Sequence, residues 1–154
     1  MSVDTDHDVP VTQDFCKCDD IDGKRTTLMF AADCGCNNAL NTIKTLLECG
    51  EYVNTQNKSR WTALMLAVQS KGQYSETITR VLIDAKANAN TQQENGDTAL
   101  ILAIKNRKEN ALSIIKLLLE AGVDVNLQKK DGNTALTLAV QYGGANAEAM
   151  MKLL

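Results

Sequence analysis

Five cysteines carry the metal or thiol chemistry that residue spacing allows in this chain. All lie in its first third: Cys16, Cys18, Cys34, Cys36 and Cys49. Two Cys-x-Cys pairs could supply four thiolates to a tetrahedral zinc ion, so Cys16, Cys18, Cys34 and Cys36 are the candidate metal ligands. The single-residue gap differs from the gap of about two to four residues found in zinc fingers and ribbons. Reduced thiols in an intracellular protein are therefore the expected state, and no cofactor is expected. His7 is the only histidine, which leaves a histidine-based triad, a His-Glu-x-x-His zinc helix or a two-histidine metal site without the residues to build it. No glycine-rich phosphate loop is present. The chain is expected not to be an enzyme.

The elements that position these side chains are written four times. The heptapeptide TALILAI at Thr98 recurs as TALMLAV at Thr62, TALTLAV at Thr134 and TTLMFAA at Thr26, so each interval is 36 residues. Asn54, Asn90 and Asn126 keep the same 36-residue beat. Self-similarity at a fixed period of this length marks a solenoid, in which no unit buries its apolar face alone. Each copy opens with a turn (KSRW, ENGD, KDGN), where Asn-Gly and Asp-Gly favour tight reversals. A threonine then caps a first helix with buried Leu100, Leu102, Ala103 and Ile104 in the fullest copy. Alanine at 31, 67, 103 and 139 allows close helix approach. A polar break follows, then a Leu-rich second helix ending at Gly122 in a left-handed cap. Lys86 stands at that glycine position in the second copy, a cost of about 1 kcal/mol if the conformation is kept. Glu48 and Glu120 occupy matching polar positions and read as solvated helix face rather than as catalytic carboxylates.

The expected organisation is an acidic N-terminal arm at 1–20, partly disordered, and a repeat domain at 21–154. The repeats run 21–56, 57–92, 93–128 and an incomplete 129–154. Adding one period to Leu117 and Leu118 gives Leu153 and Leu154, so the last copy breaks off inside its second helix. Met150, Met151, Leu153 and Leu154 would then lack a following repeat. Either a longer native protein or self-association through this C-terminal end face is expected.

Composition narrows the partners. With 44% apolar residues, 23% charged and 4% aromatic, the core is built from aliphatic side chains. A net charge of −3 provides no basic surface for nucleic acid. No apolar run approaches the ~20 residues of a membrane-spanning helix. Asp4, Asp6 and Asp8 stand where a secretory leader carries positive charge. A cytoplasmic or nuclear location is expected.

Turn, Thr-x-Leu helix, polar break, Leu-Leu helix and Gly-x-x-Val-Asn resemble the ankyrin repeat over residues 21–154. The resemblance implies an all-α solenoid of stacked helix-turn-helix units with short hairpin-like turns, acting as a protein-binding module. The chain departs from the family at Thr-Pro-Leu-His, spelled here Thr-Thr-Leu-Met, Thr-Ala-Leu-Met, Thr-Ala-Leu-Ile and Thr-Ala-Leu-Thr. Its period also exceeds the usual length of about 33, with the surplus placed between the helices, around Ser70 to Ser75 and Asn106 to Asn110. Similar lengthened repeats occur in ankyrin proteins of large DNA viruses and intracellular bacteria, which implies a host-interaction adaptor in the host cytoplasm. Regulatory repeats of a larger protein, or a metal- or thiol-dependent module on the Cys-x-Cys pairs, are the alternatives. The resemblance assigns partner binding on the concave face to Arg25, Trp61, Asp97 and Asn133, which precede the threonines. It adds Asp33, Gln69, Ser70, Lys105, Asn106, Gln141 and Tyr142 beyond the alanines. It also implies asparagine hydroxylation, best matched at Asn126 with Leu118 eight residues earlier.

Overall fold

A threonine at the head of each copy supplies the oxygen that the first turn of a helix lacks. The N–H of Met29 donates to Thr26 Oγ1 at 3.2 Å, that of Met65 to Thr62 at 3.3 Å and that of Ile101 to Thr98 at 3.3 Å. Thr134 and Thr137 form a reciprocal capping box in the fourth copy. The structure, a computed structural model, describes residues 25–106 and 109–154. The expected arm at 1–20 lies outside the described residues.

Helices follow in pairs: α1 (Thr27–Cys34) with α2 (Asn37–Glu48), and α3 (Ala63–Gln69) with α4 (Ser75–Asp84). Then come α5 (Ala99–Lys105) with α6 (Ala111–Glu120), and α7 (Ala135–Tyr142) with α8 (Ala147–Leu153). A 3-10 turn at Gly144–Asn146 precedes α8, and no strand occurs among the described residues. The gap between helices is short in the first pair, where α2 takes up the surplus residues, and longer in the second and third.

The first helices stack as one layer, α1 on α3, α3 on α5 and α5 on α7. The second helices form another, α2 on α4, α4 on α6 and α6 on α8. All-round apolar first helices follow from this double neighbour. Every residue of α5 from Ala99 to Ile104 is buried, as is α3 from Ala63 to Val68. Met29, Met65 and Ile101, at the position where the resemblance places histidine, are each 1% exposed, so dispersion and burial replace a hydrogen bond there.

The end of the stack shows what neighbours contribute. Leu100 and Ile104 are 1% and 0% exposed, whereas Leu136 and Val140, one period on, are 51% and 63% exposed. Burying such a side chain is worth about 1.5–3 kcal/mol. The expected end face is thus led by α7, with Met151 at its edge; Met150 is buried, because α8 folds back onto its own pair.

Second helices close in a common way. The N–H of Glu51 donates to Leu46 and that of Gly50 to Leu47; Ala87 and Lys86 do the same to Leu82 and Ile83. Val123 and Gly122 repeat this on Leu118 and Leu119. This double bond needs a left-handed residue. Gly50 and Gly122 adopt φ 86° and 77°, and Lys86 is held at 67° despite its Cβ. Lys86→Gly is expected to stabilise the fold by about 1 kcal/mol, raising Tm by about 2–4 °C in a chain of this size. Calorimetry of the two chains checks it, and an unchanged or lowered Tm counts against strain at this position.

Candidate functional site

Between each pair and the next, the chain makes a narrow tip. The N–H groups of Asn57, Gln93 and Lys129 donate to the carbonyls of Trp61, Asp97 and Asn133 at 3.0, 3.0 and 2.9 Å. The reversal requires positive φ, met by Gly96 and Gly132 and, in the first of the three, by Arg60 at φ 63°. Neighbouring tips are tied edge to edge: Glu94 N–H donates to the Ser59 carbonyl and Lys130 N–H to that of Asn95. Gln92 Nε2 adds bonds to the Gly96 carbonyl at 2.9 Å and the Gln128 carbonyl at 2.8 Å, the second crossing to the next tip.

The recurring asparagines work at the base of this surface. Asn54 Oδ1 accepts the Asn88 N–H at 2.7 Å, and Asn90 Oδ1 accepts the Asp124 N–H at 2.7 Å. Each side chain therefore ties its own repeat to the backbone of the following one. Asn126 occupies the same place at the end of the series; it is exposed, and its N–H donates to Asp124 Oδ1.

Four residues from the sequence-based set converge. Arg25, Asp33, Trp61 and Gln69 line one cleft of about 260 Å³ together with Asn57, Ser59 and Leu66. Arg25 Nη1 donates to Asp33 Oδ2 at 2.8 Å, and its guanidinium lies 5.9 Å from the Phe30 ring centroid. Trp61 forms a wall, half-buried against the core, with its backbone N–H donating to Asn57 Oδ1 at 2.8 Å. The indole thus has one side in the fold and one on the cleft. The cleft offers a paired guanidinium and carboxylate, amide and hydroxyl groups, and an aromatic surface, with buried Leu66 as the apolar element.

Asp97 and Ser70 of that set are buried, and Lys105 and Asn106 make contacts within the fold. Asp97 is 4% exposed, bonded by Gln93 Nε2 at 2.9 Å and paired with Lys105 Nζ at 3.2 Å and Lys129 Nζ at 3.8 Å. A carboxylate in that position is held by its cations rather than presented to a partner. Lys105 is engaged in the same pair. Ser70 is also buried; its Oγ accepts the Gly72 N–H at 3.1 Å to shape the α3–α4 connection. Asn106 Nδ2 donates to the Val68 carbonyl at 2.8 Å, capping the end of α3 from the next copy. Asn133, Gln141 and Tyr142 lie on the fourth copy, apart from the cleft.

Sequence reading missed Asn57 and Ser59 in the cleft and Lys129 and Asp131 beside Asp97. Asn57, Gln93 and Lys129 are one period apart, and this spacing marks them as equivalent tip positions. Lys129 Nζ also holds Asp131 Oδ2 at 2.8 Å. That hydrogen bond, with help from the Asn133 N–H, draws the Asp131 carboxyl from the usual 3.8 to about 2. Its partner Lys129 is raised, chiefly by the same bond.

The thiol expectation also changes. Cys34 closes α1, Cys36 is the residue before α2, and the two are joined as a disulfide across Gly35. Cys49 is exposed and free. Cys16 and Cys18 lie outside the described residues, within which no cluster of three or more His, Cys, Asp or Glu could hold a metal. No helix among them is long and apolar enough to cross a membrane.

A family model described as ankyrin repeats (3 copies) matches residues 7–90, 28–129 and 73–154. No curated protein matches the chain.

If Asp97 serves the fold, Asp97→Ala should destabilise by about 2–3 kcal/mol, because it orphans Gln93 Nε2 and leaves Lys105 without its carboxylate. Exposed Gln141→Ala should stay within about 0.5 kcal/mol of the parent. Urea unfolding of both variants checks this; equal midpoints would return Asp97 to the surface set.

Proposed function

The chain belongs to the ankyrin-repeat family, and we propose that it is a non-catalytic module that binds a partner protein on its concave face through the cleft between the first two copies. Members of this family are generally protein-binding modules. One observation carries the choice of site: Trp61, the only tryptophan, shares a cleft with Arg25, Asp33 and Gln69. Tryptophan, tyrosine and arginine dominate interface hot spots, in pockets ringed by polar groups. The adjoining tip residue Arg60 keeps a strained left-handed backbone where the later tips use glycine, as residues at binding sites often do. A host-directed role rests on the lengthened Thr-Ala-Leu-Met spelling alone.

The end face supports a second reading from a separate observation. Leu136, Val140 and Met151 continue the series of stacking surfaces that α3 and α5 bury inside the chain. A second copy meeting this face sets apolar side chains against their like, in a self-complementary contact.

Two experiments test these readings. With a purified partner, Trp61→Ala and Gln69→Ala should weaken binding, the former at least about tenfold. Both chains should keep the helical circular dichroism of the parent. Undiminished affinity in Trp61→Ala removes the cleft from consideration. For the end face, sedimentation velocity should show parent dimers and monomeric Val140→Glu; a parent that stays monomeric at high concentration ends that reading.

A further inference from the structure

We propose that the Cys34–Cys36 pair is a reversible thiol–disulfide site that sets the shape of the cleft between the first two copies. Its consequence for binding rests on the reading above, but its effect on the cleft does not. The geometry runs through backbone. Gly35, at φ 57°, sits so close to Gly72 that a Cβ on either would overlap the other's main chain. The Tyr74 N–H donates to the Gly35 carbonyl at 3.3 Å. Ser70, buried beside Gly35, faces the same point with its Oγ. The disulfide loop is thus clamped directly onto the α3–α4 connection of the next copy. Each side of this clamp is one residue from a cleft wall: Asp33 precedes Cys34, and Gln69 precedes Ser70. Opening the loop releases the end of α1 that carries Asp33, and with it the pairing to Arg25.

The chemistry uses a low-molecular-weight thiol as reductant. Cys34 and Cys36 are both half-buried residues rather than core ones. The reductant's thiolate attacks Cys34 Sγ, forming a mixed disulfide and breaking the Cys34–Cys36 bond. The electron pair leaves on Cys36 Sγ, at the positive end of the 12-residue helix α2, where a thiolate is favoured. A second thiolate attacks the sulfur of the reductant in that mixed disulfide. This releases Cys34 as thiolate and yields the oxidised small-molecule disulfide. Two small thiols lose two electrons and two protons; Cys34 and Cys36 gain them.

Trp61 reports on the cleft without any partner. The whole chain, titrated through buffers of reduced and oxidised glutathione, should show a reversible change in Trp61 emission. The change should coincide with the transition in iodoacetamide labelling of the Cys34–Cys36 peptide. Cys49→Ser should respond like the parent, whereas Cys34→Ser and Cys36→Ser, checked for unchanged helical circular dichroism, should give flat emission. Labelling of both cysteines in the oxidised chain overturns the pair itself. A labelling transition with constant emission overturns its link to the cleft. A response that persists in Cys34→Ser assigns the change to another thiol and overturns the proposal. Intact partner binding by Trp61→Ala would sink the binding reading and leave this one standing.

Discussion

No helix pair in this chain can enclose its own apolar face, and each other feature follows from that shortage. A helix of seven residues such as α3 or α5 is too short to persist alone. It is apolar on all sides because neighbours cover two of them and its own second helix a third. Leu100, on α5 beneath α7, and Leu136, on the outer side of α7, have closely similar local sequences and opposite exposure. Stability is therefore a property of neighbouring repeats together, passing along the stack through nearest-neighbour interfaces.

Apolar contact is non-directional, so register must come from polar groups. Asn54 and Asn90 hold the backbone of the following copy, and Gln92 holds the next tip. Asn106 reaches back to the end of α3, and Asn110 to the Ser75 hydroxyl. No buried side-chain nitrogen or oxygen among the described residues lacks a partner. A buried orphan costs about 1–3 kcal/mol, so these bonds penalise any slipped stacking.

The two halves of the tip surface are used differently. Between the third and fourth copies, Asp97, Lys105, Lys129 and Asp131 form a charge network centred on the buried Asp97. Between the first two, the corresponding positions are Trp61, Gln69 and Asn57, bulky or neutral, and a cleft remains. Asp97 stands one period after Trp61, so a carboxylate and an indole occupy the same backbone site. One is drawn inward by two lysines and the other stands along the opening. The disulfide loop packs on the α3–α4 connection, through the Gly35–Gly72 approach.

By itself, the amino-acid sequence determined the number and order of the helices, their capping threonines, the buried leucine and alanine positions and the left-handed strain at Lys86. All of these are local or periodic: a side chain and its neighbours within one turn, repeated every 36 residues. Variable tip positions were legible too, as those the stacking leaves free to change. Which of them share a cleft was not, because Arg25 and Gln69 meet only after two copies have stacked. Asp97 and Ser70 looked like surface for the same reason; their burial depends on Lys129 in the next copy and Gly35 in the previous one. Cys34 and Cys36 read as separate thiols because spacing says nothing of φ, and a left-handed Gly35 is what brings the sulfurs together. Tertiary structure decided each of these through contacts between copies, which no single period contains.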